Sequence, residues 1–206
     1  MYDILAAGWA AAEASETLAL QCAQELRRRF PVSFCERSER LRRHYLKEAG
    51  FSGAPEELAA FLRAFSERKV LRSVREAGEG GIFRALWDLA EEEGCGFSIS
   101  MKKIPICQET VEICEYFGVN PYYARSRGLF LLTAEDGGKA LHALREAGIP
   151  AEILGELRPG RDKLLRQKEH SRCLDRPQPD SLQTFLAGRG ALPETALSGR
   201  QAEGRR

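Results

Sequence analysis

Three absences narrow the classes of protein to which this chain of 206 residues can belong. It has no apolar run near the ~18 residues of a membrane-spanning helix, and its start lacks the charged-then-apolar order of a signal peptide. A surplus of either charge is also lacking, because 31 basic residues face 30 acidic ones. We therefore expect a cytoplasmic protein that binds neither membrane nor nucleic acid.

The cysteines do not have the spacing of a metal site. None of the six forms a Cys-x-x-Cys pair, and none of the three histidines lies at a zinc-finger spacing from a cysteine. Cys22 and Cys114 fall on the apolar sides of predicted helices, where we expect them as small core residues. The sequence therefore predicts no metal site.

The patterning predicts a single α+β domain, residues 1–186, in which a mixed sheet is packed by helices. Helices are predicted at about residues 10–29, 33–48, 55–65, 82–90, 108–117 and 137–147, and strands at 4–7, 97–101, 129–132, 153–157 and 163–166. The last two strands are predicted to form a hairpin through a turn at 159–162. Residues 187–206 are predicted to be a disordered tail, because the apolar period ends there.

The second predicted helix carries four arginines, which could be interpreted as a basic patch. Three glutamates lie before, between and after them, so we interpret the segment as a solvated face neutralised by pairs at i,i+4. The residues concerned are Arg37, Arg40, Arg42 and Arg43, with Glu36, Glu39 and Glu48.

The stretch at 79–100 is the centre of the sequence argument. Gly80 and Gly81 allow a tight turn into a helix, Gly94 stands where that helix should end, and a strand pattern follows. The start of such a helix presents free N–H groups and the positive end of the helix dipole, so it can bind an anion or a phosphate. Two glycines before a helix are also common as plain turn chemistry, and the pattern alone favours that second interpretation.

The sequence of this stretch and of the residues after it resembles the C-terminal domain of the AIR synthase-related (PurM-like) superfamily. It resembles in particular the bacterial hydrogenase maturation factors of the HypE type. The resemblance is carried by EGGIFRALW at 79–87, IPI at 104–106, QETVEICE at 108–115 and NPY at 120–122. It implies the PurM C-terminal fold and a family chemistry in which ATP drives phosphorylation. ATP and Mg²⁺ are implied for the family, and none is expected on the isolated chain.

The resemblance also implies a set of site residues. The phosphate-binding residues would be Glu79, Gly80, Gly81, Arg127 and Gly128, and Glu76 would be catalytic. The family usually has His-Asp-Val-Thr where this chain has the residues 75–78, Arg-Glu-Ala-Gly. It also has small residues around position 127, where this chain has an arginine able to hold a phosphate.

In the superfamily, an N-terminal domain with most of the ATP and magnesium ligands precedes the strand that opens this chain. We therefore expect the second domain alone, which an N-terminal ATP-binding partner or a homodimer would complete. Such a domain should expose an apolar or glycine-lined face near Gly80 and Arg127. HypE-type enzymes also end in a cysteine, where this chain ends in Arg206. Two hypotheses follow: half of an ATP-dependent protein, whose isolated chain is inactive, or a non-catalytic interaction module.

Overall fold

The computed structural model describes residues 2–52, 55–67, 70–168 and 170–190. Its strands are β1 Asp3–Ala7, β2 Ser73–Glu76, β3 Gly96–Ser100, β4 Phe130–Ala134, β5 Ala151–Arg158, β6 Lys163–Gln167 and β7 His170–Cys173. Its α-helices are α1 Ala12–Gln21, α2 Ala23–Arg29, α3 Val32–Ser38, α4 Leu41–Glu48, α5 Pro55–Ser66, α6 Gly81–Glu92, α7 Gln108–Phe117, α8 Gly137–Glu146 and α9 Ser181–Gly190. None of the helices in these described ranges is both long and apolar enough to cross a membrane.

The strands form one sheet in the order β2-β4-β1-β5-β3-β6-β7. The neighbouring pairs are antiparallel except β3 and β6, which are parallel. A mixed sheet packed by helices confirms the predicted α+β class.

Helices cover both faces of the sheet, because successive side chains of a strand point to opposite sides. On β1, Ile4 and Ala6 pack with α6 residues such as Leu86, whereas Leu5 and Ala7 pack with residues of α5 and α8. A separate helical cluster joins apolar residues of α1, α2, α3, α7 and α9. Cys22 and Cys114 are buried in this cluster, which confirms their prediction as core residues.

Each of the first two predicted helices is in fact a pair of shorter helices. The first breaks at Cys22, whose ψ is 28°, and the second at Arg40, whose φ is −137°. The second break lets α3 and α4 pack in different places: Cys35 enters the helical cluster, whereas Leu46 enters the core beneath α5 and α8. Apolar periodicity does not report such a break, because it continues on both sides of it.

The predicted hairpin between β5 and β6 is wrong. β3 lies between these strands, and β6 pairs with β3 on one side and with β7 on the other. The turn at 159–162 instead passes beside Gly96, where an added Cβ would lie 2.2 Å from the Asp162 carbonyl oxygen. The Phe97 N–H donates to that same oxygen at 2.9 Å, so the turn is fixed to β3.

The predicted tail boundary at residue 187 is also wrong, because 187–190 form the last turn of α9. This helix is held by Leu182, Phe185 and Leu186 in the helical cluster and by the ion pair of Arg189 with Glu25. Residues 191–206 of the predicted tail and residues 53–54 of the predicted loop before α5 lie outside the described residues.

Candidate functional site

The predicted site residues lie in loops at one end of the sheet. β1 and β2 end there and β4 begins there, since Ala7 and Glu76 both pair with Phe130. β5 begins at the same end, with Ala151 opposite Ala7. Antiparallel pairing therefore brings the loops after residues 7 and 76 next to the loop that precedes residue 130.

Two glutamates hold the loop before β4. The Gly128 N–H donates to Glu76 Oε1 at 2.9 Å, and the Arg127 N–H donates to Glu13 Oε2 at 3.0 Å. Glu76 is exposed at the end of β2, and Glu13 is half-buried in the first turn of α1. Hydrogen bonds to an ionised carboxylate are stronger than neutral ones, so two of them fix this dipeptide.

Ser126 joins this loop to its neighbours. Its N–H donates to the Gly78 carbonyl at 3.1 Å. Its hydroxyl accepts from the Ala11 N–H at 2.9 Å and donates to the Ala124 carbonyl at 2.8 Å. The residue is fully buried, so it acts as a fixed internal connection. Sequence reasoning missed this role, because nothing in the neighbouring residues distinguishes Ser126 from a serine in an exposed loop.

Arg127 differs from Arg75 and Arg84, two other arginines that the sequence places near the glycine turn. Arg75 pairs with Glu92, and Arg84 pairs with Asp88 at 2.9 Å. Arg127 is exposed, and its guanidinium forms no ion pair with any residue that the structure describes. A free guanidinium on a fixed loop can bind a phosphate through paired hydrogen bonds.

The glycine turn has the backbone geometry that the sequence predicts. Gly80 and Gly81 have φ angles of +77° and +67°, and Gly80 is the N-cap of α6. An added Cβ on Gly81 would lie 2.7 Å from the carbonyl oxygens of both Tyr122 and Ala124, so this residue packs directly on another loop.

The N–H of Gly80 already has an anionic partner within the chain. It donates to Asp180 Oδ2 at 2.9 Å, while Asp180 Oδ1 accepts from the N–H groups of Leu182 and Gln183 at 3.0 and 3.1 Å. Asp180 is only 3% exposed and caps α6 and α9 together. A phosphate at the Gly80 N–H would therefore compete with a buried carboxylate. Sequence reasoning missed Asp180, although an aspartate after Pro179 is a typical N-cap signal.

The surface beside the turn is polar. A cleft of about 350 Å³ lies there, lined by Glu79, Gly80, Arg84, Asp88, Gln178, Pro179 and Asp180. The large apolar side chains found exposed in the described residues lie elsewhere, on α1, α3 and α7: Leu20, Val32, Val111 and Tyr116. Of the apolar or glycine-lined face expected near Gly80, the described residues show a polar cleft that has Gly80 in its lining.

The described residues contain no group of three or more His, Cys, Asp or Glu side chains placed to hold a metal ion. Mg²⁺ is usually bound through one or two carboxylates together with substrate phosphates and water. At this end of the sheet the chain offers the carboxylates of Glu13 and Glu76 and the cation of Arg127.

The buried thiols are not reactive groups. Burial raises the pKa of Cys107 and of Cys114 to about 12 in each case. Both therefore stay protonated at neutral pH, and only a thiolate is a nucleophile or a metal ligand.

Comparison with known sequences finds relatives described as HypE or as hydrogenase expression/formation proteins. The Carbamoyl dehydratase HypE of Rhodobacter capsulatus is 35% identical over 78 residues, which are 36% of this chain and 23% of that protein. The hydrogenase expression/formation protein HupE of Azotobacter chroococcum is 29% identical over 102 residues, 48% of this chain and 29% of that protein. The matches thus cover less than a third of either relative.

Solved structures show the same fold. A crystal structure of E. coli HypE has a TM-score of 0.63 at 19% identity and covers 89% of this chain and 52% of its own. A HypE in complex with ATP has a TM-score of 0.57 at 16% identity, with coverages of 88% and 52%. This chain therefore spans about half the length of these structures.

The family comparison covers more than half of the chain. Residues 37–166 match the family described as AIR synthase related protein, C-terminal domain. The matched range begins in α3 and ends in β6, and it includes the glycine turn and the Arg127 loop. The chain belongs to this family.

Proposed function

We propose that the chain is the C-terminal part of an ATP-dependent, cytoplasmic protein of the hydrogenase maturation type. In this proposal the loops at the end of the sheet form one wall of a phosphate site, and an N-terminal ATP-binding domain completes it. The observation that carries the proposal is the unpaired guanidinium of Arg127 on a loop that Glu13 and Glu76 hold in place. The solved HypE with ATP supports the choice of ligand, because its fold matches this chain.

The residues have different parts in this proposal. Arg127 binds phosphate oxygens, and the Gly128 N–H keeps the loop attached to Glu76. Glu76 uses Oε1 for that bond, so Oε2 is the atom left to accept a proton from a substrate. Glu79, Gly80 and Gly81 form the rigid neighbouring wall, since Asp180 already holds the Gly80 N–H.

ATP and Mg²⁺ would bring the phosphoryl group and the metal clamp that phosphoryl transfer needs. In this proposal the described residues of this chain contribute binding and orientation, and the N-terminal domain contributes most of the metal ligands. We therefore expect no ATP hydrolysis by the chain alone.

A second candidate is a non-catalytic interaction module. The observation that favours it is the internal use of charged groups around the turn: Glu92 neutralises Arg75, Asp88 neutralises Arg84, and Asp180 occupies the Gly80 N–H. Charged groups that are paired within the chain stabilise the fold and do not bind a ligand. Under this candidate, nucleotide neither binds to nor stabilises the chain.

The test is magnesium-dependent ATP hydrolysis by the chain combined with a separately produced N-terminal half of a HypE-type protein. We expect the mixture to hydrolyse ATP and Arg127→Ala to lower the rate about tenfold, the effect of losing about 1.4 kcal/mol of phosphate binding. Arg28→Ala, an exposed arginine on α2, is the matched control and should leave the rate unchanged. Equal rates for the wild type and Arg127→Ala would contradict the phosphate-binding role of Arg127. A mixture with no activity and no nucleotide binding would favour the interaction module.

A further inference from the structure

The helices α3 and α4 form a cleft of about 490 Å³ that is separate from the proposed phosphate site. We call it the basic cleft, and its lining residues are Ser33, Glu36, Arg37, Arg40, Arg43, His44 and Lys47. Five of these seven residues carry basic groups, whereas the chain as a whole has a net charge of only +1. The positive charge is thus concentrated locally.

Two of the basic groups already have acidic partners within the chain. Arg37 pairs with the buried Glu109 at 2.5 Å, and His44 lies 3.3 Å from Glu48. Arg40, Arg43 and Lys47 are exposed, and none forms an ion pair within the described part of the chain. The basic cleft therefore has three cations that form no ion pair with a described residue.

The break between α3 and α4 explains why the glutamates do not neutralise these cations. A continuous helix, which the sequence pattern predicts, would place Glu39 and Arg43 on one face at i,i+4. The chain leaves the helical path at Arg40, and Glu39 instead pairs with Arg27 of α2 at 3.2 Å. Glu36 lines the basic cleft but forms no ion pair with a described residue. The predicted self-neutralised face is wrong for this part of the segment.

The spacing of the free cations indicates the size of their ligand. Arg43 and Lys47 are four residues apart on one side of α4, and Arg40 is the N-cap residue directly before that helix. At 1.5 Å per residue they span about 10 Å, the length of a short peptide segment with two or three carboxylates. Grouped cations repel one another, and an acidic ligand removes that repulsion.

A protein segment fits this surface better than nucleic acid does. Val32 comes directly before the lining residue Ser33 and is 61% exposed, so an apolar side chain of a ligand has a place to pack beside the acids. A protein that binds nucleic acid through about 6–10 phosphate contacts needs a longer basic stripe than these three cations form.

A second copy of this chain does not supply the acidic segment from its longest acidic run. That run, Glu91 to Glu93, is paired within the chain to Lys163, Arg75 and Arg72. We propose that the basic cleft binds an acidic segment of a partner protein, through Arg40, Arg43 and Lys47, with an apolar side chain of that segment against Val32.

The test is the binding of a fluorescein-labelled ten-residue peptide with four glutamates and two leucines, followed by fluorescence anisotropy at low and high salt. We expect the triple variant Arg40→Ser, Arg43→Ser, Lys47→Ser to weaken binding at least tenfold, and high salt to weaken binding to the wild type. Val32→Ser should weaken binding about threefold, because it removes only apolar contact. All four residues are exposed, so the variants should fold as the wild type does.

The matched control removes three other exposed arginines and so changes the net charge equally: Arg28→Ser, Arg63→Ser, Arg176→Ser. We expect it to change the affinity less than twofold. An equal loss in both triple variants would show a general charge effect and overturn the proposal. A wild type that does not bind the peptide at millimolar concentration, or that binds a ten-nucleotide single-stranded DNA more tightly, would also overturn it.

Discussion

Two glycine-containing turns of this protein donate backbone N–H groups to carboxylates of the same chain, but the two carboxylate environments differ. At the Gly80 turn, Asp180 is 3% exposed and accepts three N–H groups from two helix starts. At the Arg127–Gly128 turn, two glutamates each accept one backbone N–H group, and one of them, Glu76, is exposed. A buried carboxylate whose two oxygens both accept hydrogen bonds from the chain joins parts of the fold. An exposed carboxylate can still contact a ligand.

This difference changes the place where a phosphate is expected. The sequence draws attention to Gly80 and Gly81, because glycines before a helix suggest an anion site. In the structure an aspartate provides that anion, and the unpaired cation lies on the other turn at Arg127. The following predictions test the comparison from its largest expected effect to its smallest.

Gly81→Ala should destabilise the protein most. The residue has a φ of +67°, and a Cβ would meet two carbonyl oxygens at 2.7 Å. Strain and overlap together should lower the free energy of unfolding by about 3 kcal/mol, measured by urea denaturation. Gly94→Ala is the matched control: its φ is +61° and a Cβ there meets nothing within 4 Å, so about 1 kcal/mol is expected. Equal losses would show that the Gly81 turn is not tightly packed.

Asp180→Ala should cost about 2 kcal/mol, because it leaves three N–H groups at two helix starts without their acceptor. Asp136→Ala is the matched control, since Asp136 is exposed and caps α8 through a single bond to the Lys139 N–H at 2.9 Å. Its expected cost is about 1 kcal/mol. The measurement is again urea denaturation, and a smaller loss for Asp180→Ala than for Asp136→Ala would refute the structural role of Asp180.

Glu76→Gln should change stability by less than about 1 kcal/mol, because the amide oxygen can still accept from the Gly128 N–H and the site is exposed. Its effect should instead be seen in the hydrolysis assay with the N-terminal half, where we expect a lower rate. A large loss of stability in thermal unfolding with an unchanged rate would assign Glu76 to folding alone.

The smallest expected effect concerns Glu91, whose carboxylate belongs to neither of the two turns. A hydrogen bond from the buried Lys163 holds the pKa of Glu91 below its ordinary value of 4.5, although Glu91 itself is 60% exposed. A lowered folded-state pKa gives stability that is present above the unfolded-state pKa and is lost as the pH falls through the folded one. Glu91→Gln should therefore lower the thermal midpoint at pH 7, and this difference should shrink below about pH 4.5.

Glu115→Gln is the matched control for that experiment, because Glu115 is exposed and forms no ion pair with a described residue. Its thermal midpoint should follow that of the wild type at every pH. A difference for Glu91→Gln that stays constant down to pH 3 would show that the Lys163 contact does not depend on the charge of Glu91.

Local features of the fold could be predicted from the sequence. Gly118 ends α7 with a φ of +66°, and Asp136 caps α8, both as expected from single-residue preferences. β4 follows from a continuous apolar run, and its buried residues confirm it. Each of these features depends on residues that are only a few positions apart, so the local sequence is enough to predict it.

Features that depend on distant partners could not be predicted. The exposed strand β7 has no apolar alternation, and β6 pairs with β3 because of contacts formed about sixty residues away in sequence. Asp180 meets Gly80 across 100 residues. The family resemblance points to both loops, and only the folded chain shows that Asp180 already accepts the Gly80 N–H while the Arg127 side chain forms no ion pair with a described residue.

The central claim is that Arg127 faces phosphate while the Gly80 turn is closed by Asp180. The most direct measurement is a titration of the ¹⁵N-labelled chain with inorganic phosphate, in which the backbone amide resonances are followed by NMR. The account predicts that the Arg127 and Gly128 amides shift, that the Gly80 and Gly81 amides do not, and that Arg127→Ala removes the response. Shifts of Gly80 and Gly81 that persist unchanged in Arg127→Ala would contradict it.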